Sequence, residues 1–205
     1  TTLPYSYTVI VTDDFGCTTS LVGSVTCESC PTIASSSDDA EACSGDNVSL
    51  SISINDSDNQ LDKIEWTSNG GVVGTGASIE VSETVTGCSN SVVTYTANVV
   101  CSDGFTVSEN VIVTYFPEVS ATTSVSSDGC TISVVPACPQ FVIEGFNAGQ
   151  TAVVTTDIDG DNSAVSFNIS NPNAPITCSS ATVTENYSCI LPECPTIGSI
   201  VELGK

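Results

Sequence analysis

Two kinds of side chain in this sequence could do chemistry: thiols and carboxylates. There are 11 cysteines in 205 residues, with no histidine. Zinc sites are built from paired Cys-x-x-Cys knuckles or from Cys with His, so this set reads as a disulfide framework. Cys27-Glu-Ser-Cys30 is a lone Cys-x-x-Cys without a partner knuckle or a following helix, which speaks against a redox or metal role. Disulfides persist in oxidising compartments, so the protein is expected outside the cytoplasm, extracellular or on the cell surface.

The carboxylates are more unusual. The 24 acidic residues face only Lys63 and Lys205, with no arginine, for a formal net charge of −22. Phosphate backbones and anionic membranes repel such a polyanion, and no transmembrane run is present. Nucleic acid binding and membrane insertion are therefore excluded from the expected partners. The run Asp157-Ile-Asp159-Gly-Asp161-Asn sets three carboxylates on alternate residues, and Asp56, Asp58 and Asp62 make a second cluster. Hard cations take oxygen cages of this kind, and Ca²⁺ is the one cofactor these runs suggest. Neither is an EF-hand, because Gly falls at the fourth place and no Glu closes a twelve-residue loop. The competing reading is plain acidic turns, since Asp and Asn are what turns prefer.

No catalytic constellation emerges. A nucleophile would lack its base, with no His and Lys63 the only interior amine. The acids lie mainly in turns, and nothing marks a cleft for a glycosidase-type pair. The chain is expected not to be an enzyme. The sequons at Asn47, Asn55, Asn168 and Asn186 are expected by chance in so Ser/Thr/Asn-rich a chain.

The elements that must position these residues are strands. Val, Ile and Ala alternate with Ser and Thr, Gly/Asn/Asp turns are frequent, and no helical period persists. Val93, Tyr95, Ala97 and Val99 alternate up to the turn Ser102-Asp103-Gly104, and Phe105, Val107, Val111, Val113 and Tyr115 answer on the return. Tyr5, Tyr7, Val9 and Val11 repeat this pattern before Asp13-Asp14-Phe15-Gly16. Between the hairpins, Val48 to Ile54 reads as a strand, Ile64 and Trp66 lie on another with Trp66 in the core, and Asn69-Gly70-Gly71 is a turn.

A long period is also visible. CPTIASSS at Cys30 returns as CPTIGSIV at Cys194, with Cys17 and Cys27 matched in order by Cys178 and Cys189. The expected organisation is a window on a tandem array. Residues 1–28 are the last hairpin of a preceding sandwich, 29–116 a complete sandwich, 117–190 a second, shorter one, and 191–205 the first strand of a following domain. The fold class expected is all-β: tandem immunoglobulin-like β-sandwiches stapled by disulfides, with partial domains at both ends.

Cys43-Ser-Gly-Asp46, Trp66-Thr-Ser-Asn-Gly70 and the hairpin Tyr7 to Cys17 resemble the tandem immunoglobulin-like and PKD-like repeats of giant secreted surface proteins of Bacteroidota, gliding adhesins among them. The resemblance covers nearly the whole chain. It departs where Cys101 precedes a turn glycine and where Phe141 and Phe146 stand in place of a second Trp. It implies a surface-exported array without catalytic residues.

In such a sandwich only cysteines at the same end can pair, because bridged Cα atoms lie within about 7 Å. That rule predicts Cys30–Cys101 and Cys43–Cys88 in the first sandwich, and Cys138–Cys178 and Cys130–Cys189 in the second. Cys17, Cys27 and Cys194 are left for partners beyond the window. The function expected is a structural, non-catalytic segment of an extracellular filament or stalk, joined head to tail to neighbouring copies or domains. The alternative is an adhesin module binding a glycan or partner protein through loops at one sandwich end, its ligand unknown.

Overall fold

A computed structural model describes residues 5–25, 29–155, 163–175 and 178–189. Every regular element among them is a β-strand. Contacts divide the chain into two compact units. The first comprises Thr1–Glu41, Asp46–Glu83 and Val92–Thr114; the second comprises Ala42–Gly45, Thr84–Ser91 and Tyr115–Lys205.

In the first unit, β1 (Tyr5–Thr12) and β2 (Thr18–Val25) form a two-stranded sheet of their own. There follow β3 (Thr32–Ser36), β4 (Ala40–Cys43), β5 (Val48–Asn55), β6 (Leu61–Ser68), β7 (Gly71–Thr75), β8 (Ser78–Val81), β9 (Ser91–Cys101) and β10 (Thr106–Phe116). They make a three-stranded sheet, β3-β5-β8, and a five-stranded sheet, β4-β10-β9-β6-β7. This is the immunoglobulin-like division, with A, B and E in one sheet and C, F and G in the other. Strand β7 adds a C′ edge and β4 continues the first strand into the second sheet.

Alternation decides which face is buried. Along β9, Val93, Tyr95, Ala97, Val99 and Cys101 point into the core while their neighbours do not. Leu50, Ile52 and Val81 are buried on the three-stranded sheet. Burying side chains of this size contributes roughly 1.5–3 kcal/mol each. Trp66 is fully buried, and its indole N–H donates to the carbonyl of Gly76 at 3.0 Å, so the polar atom of the largest core side chain is satisfied. The β6–β7 turn is made by Asn69 and Gly70, both at positive φ (49° and 78°), the conformation of a two-residue hairpin loop whose twist matches its strands.

The second unit contains β11 (Ala121–Val125), β12 (Thr131–Pro136), β13 (Val142–Ile143), β14 (Ala152–Thr155), β15 (Ser163–Ser170) and β16 (Ser180–Tyr187). Sheet β11-β12-β14 corresponds to A-B-E and sheet β13-β15-β16 to C-F-G. Val119, Ile132, Val134, Phe141, Ala152, Phe167 and Ile169 share one core cluster. Asn171 is buried in the turn after β15. Its N–H donates to the Ser179 carbonyl at 2.7 Å, and its Oδ1 accepts from the Asn173 N–H at 3.2 Å.

Two features differ from the sequence expectation. Strand β4, Ala-Glu-Ala-Cys, was not expected, because it is short and made of poor β-formers; pairing with β10 forms it. The single boundary at 116/117 is replaced by an interleaved one, since 42–45 and 84–91 belong with the second unit. Tyr5 and Tyr7 are exposed, because β1 and β2 pair only with each other among the described strands. The segment 191–205 lies outside the described residues.

Candidate functional site

Four disulfides are described, and they are the most chemically specific feature of the chain. Cys30 joins Cys101, with Cα atoms 5.7 Å apart, and Cys130 joins Cys189 at 4.3 Å. The first ties the start of β3 to the end of β9; the second ties the start of β12 to the residues after β16.

The other two bonds correct the expected pairing. Cys43 joins Cys178 (Cα–Cα 5.4 Å), and Cys88 joins Cys138 (5.3 Å), in place of Cys43–Cys88 and Cys138–Cys178. The expected pairs assigned Cys43 and Cys88 to the first sandwich, whereas both lie in the second unit together with Cys138 and Cys178, so all four share one body. Cys43 ends β4 and Cys88 lies in the connection between β8 and β9. Cys88 packs against that unit's core, and its carbonyl accepts a hydrogen bond from the Gln140 side-chain amide at 2.5 Å. Ser44 secures the same region: its hydroxyl accepts from the Val85 N–H at 2.9 Å, and its N–H donates to the Phe116 carbonyl at 2.9 Å. Pairing cysteines within one stretch of sequence ignored such segments, and nothing in the residue pattern marks them.

Cys17 is a free, exposed thiol at the β1–β2 turn. Cys27 and Cys194 lie outside the described residues, as do Asp157, Asp159 and Asp161.

The second acidic cluster is described. Asp56 accepts from the N–H groups of Gln60 at 2.8 Å and Leu61 at 3.1 Å. Asp58 accepts from the Ser29 N–H and the Ser29 hydroxyl, each at 2.8 Å, and from the Ser57 hydroxyl at 3.1 Å. The Ser29 backbone N–H, then its hydroxyl, holds the Asp58 carboxyl below the usual value of 3.8. These carboxylates thus organise the β5–β6 loop. Asp62 does not join them. Among the described residues, the one trio of Cys or acidic ligand atoms within 4.8 Å of one another is Cys30, Cys101 and Asp103, whose sulfurs are already bonded to each other. Asp128 plays the loop-organising role in the β11–β12 turn. The Ser126 hydroxyl, then the Cys130 N–H at 3.0 Å, lowers its pKa below 3.8.

Lys63 pairs with Glu65 at 2.9 Å, and the Glu65 carboxylate raises its pKa above the usual 10.5. The first unit also carries a concavity of about 290 Å³ lined by Ser68, Asn69, Glu80, Glu83 and Tyr95 among others. Ser68 Oγ, on its wall, is a buried hydroxyl without a hydrogen-bond partner. Sequence reasoning did not single it out, and a Ser at a strand end in a Ser-rich chain gives no signal.

No family model and no curated protein matches the sequence. Solved structures of similar fold include the insect immune protein hemolin, at 12% identity, covering 88% of this chain and 55% of that one, with a TM-score of 0.49. Fibronectin(III)-like modules of Clostridium thermocellum CbhA match at 13% identity over 78% of this chain and 94% of that one, TM-score 0.34. The Bacteroides ovatus protein SGBP-B, solved with a mixed-linkage heptasaccharide, matches at 11% identity over 72% and 45%, TM-score 0.34. Similarity at this level assigns no function, and the immunoglobulin-like assignment rests on the strand order itself.

Proposed function

We propose that this chain is a structural, non-catalytic segment of an extracellular filament or cell-surface stalk of the giant-repeat type, built to carry tension. The observation that supports this reading most is how the disulfides interlace. Each bridge encloses one end of another, so every residue from 30 to 189 lies inside at least one covalent loop. A pull applied across Cys30 and Cys189 follows the chain to Cys43, crosses one bond to Cys178 and continues. The 135-residue separation between those cysteines is bypassed. At about 3.5 Å per extended residue, the bridge withholds roughly 470 Å of extension. A binding domain gains little from this; a shaft gains resistance to unravelling. The net charge of −22 keeps such a shaft from self-association in salty surroundings. The bonds themselves belong to an oxidising exterior.

Single-molecule pulling tests the reading. The oxidised chain should extend roughly 470 Å less than the reduced chain. Equal contour lengths would overturn it.

A second reading, an adhesin module binding a glycan or protein, draws support from the concavity at Ser68 and from the exposed aromatics Phe15 and Phe105 at two hairpin tips. Stacking and hydroxyl recognition need such groups. Screening the oxidised chain against immobilised oligosaccharides, with Ser68→Val as control, separates the two readings.

A further inference from the structure

Among the described residues, the hairpin β1–β2 carries an apolar face that meets no facing sheet. Its register sets Tyr5 opposite Val25, Tyr7 opposite Gly23 and Val9 opposite Leu21, with Val11 completing the stripe. All these side chains are exposed, Tyr7 at 49%. The Tyr7 ring lies so close across Gly23 that a Cβ there would overlap it. Neither strand contains a charged residue, although the chain as a whole carries −22.

The chain shows twice what covers a hairpin of this kind. In the β1–β2 turn, the Asp13 N–H donates to the Cys17 carbonyl and the Gly16 N–H to the Asp13 carbonyl, both at 3.0 Å. The β9–β10 turn repeats this with Cys101 to Phe105 at 2.8 Å and Gly104 to Cys101 at 2.9 Å. Matching the turns sets Tyr7, Val9 and Val11 on Tyr95, Ala97 and Val99, all buried in a sandwich whose other layer is β3-β5-β8. The eight residue pairs of β1–β2 also match the eight of β15–β16, from Thr12↔Thr18 on Ser170↔Ser180 to Tyr5↔Val25 on Ser163↔Tyr187. There Val9 and Val11 fall on Phe167 and Ile169, which share a core with Ile132, Val134 and Ala152 of sheet β11-β12-β14.

We propose that the face made by Tyr5, Tyr7, Val9, Val11, Leu21 and Val25 is a docking surface for a three-stranded antiparallel β-sheet with an aliphatic inner face and no closing hairpin of its own. The occupant is not a second copy of the described residues, because their two sheets of this type each already face a hairpin. A two-stranded ribbon is marginal alone, and such a sheet supplies the missing layer. The inference does not depend on the filament reading.

The test places residues 29–92, with the three cysteines changed to serine, directly ahead of Tyr5 of the full chain, since Val93 is the counterpart of Tyr5. These residues hold the sheet β3-β5-β8 together with the strands β4, β6 and β7 that flank such a hairpin. Hydrogen exchange at amides 5–25 should slow at least about a hundredfold relative to the unmodified chain. Val9→Asp should abolish that protection while leaving the melting of the unmodified chain unchanged. Unslowed exchange overturns the proposal. A leading segment that stays unprotected does so too, because each part is held to be the other's missing half. Protection in the unmodified chain that rises with concentration would overturn it in favour of a second copy.

Discussion

Replacing Cys88 by serine separates the bonding described here from the pairing that a sandwich read from sequence order predicts. The Cys88–Cys138 bridge spans 50 residues. Loop-closure entropy for that length corresponds to about 4 kcal/mol at 25 °C, and native bridges typically contribute ~2–4 kcal/mol. The second unit is of ordinary domain size, for which each kcal/mol moves Tm by about 4–8 °C, so its melting should fall by roughly 10–30 °C. The thiol left without its partner identifies the bond. Maleimide labelling of the unreduced but denatured variant, followed by an acid-specific protease because only Lys63 and Lys205 offer tryptic sites, should mark Cys138 in addition to whatever the unmodified chain already labels, Cys17 included. Label on Cys43 instead, or an unchanged Tm, would refute the reasoning.

Other outcomes follow from single contacts. Trp66→Ala removes a fully buried side chain and its bond to the Gly76 carbonyl, and should cost about 3–5 kcal/mol in urea unfolding. Gly70→Ala, at a φ of 78°, should destabilise by about 1–2 kcal/mol in the same assay while leaving β6–β7 paired. Asp58 and Asp128 have folded pKa values below 3.8, so their contribution is present above that pH and is lost as pH falls through the lowered values. Asp58→Asn should therefore lower stability at neutral pH and flatten the acid limb of the stability profile below about pH 4.

Much of the fold was legible because strand alternation is a local signal. The hairpin from Val93 to Tyr115 announces itself by period, by the Asp-Gly turn and by its aromatic residues, and the buried set follows the same alternation. The short strands were not. Strand β4 has one buried residue, Ala42, and β13 is two residues long, so neither carries a period to detect. The cysteine partners were only partly legible for a related reason. Cys43 and Cys88 are taken up by the unit that holds Cys138 and Cys178, and which of these four meet is set by their positions within that unit, which no local pattern records. Asp58 was visible as a loop acid, yet its hydrogen bonds to Ser29, 29 residues away, are a tertiary fact without a sequence signature.

The structural role is tested most directly where the protein is made. Gold-conjugated antibody raised against residues 29–116, applied to intact cells and viewed in negative stain, should mark filaments or stalks at repeated points along their length. Gold confined to the tips would contradict the shaft and favour the adhesin reading, and labelling only after lysis would contradict the surface location on which both depend.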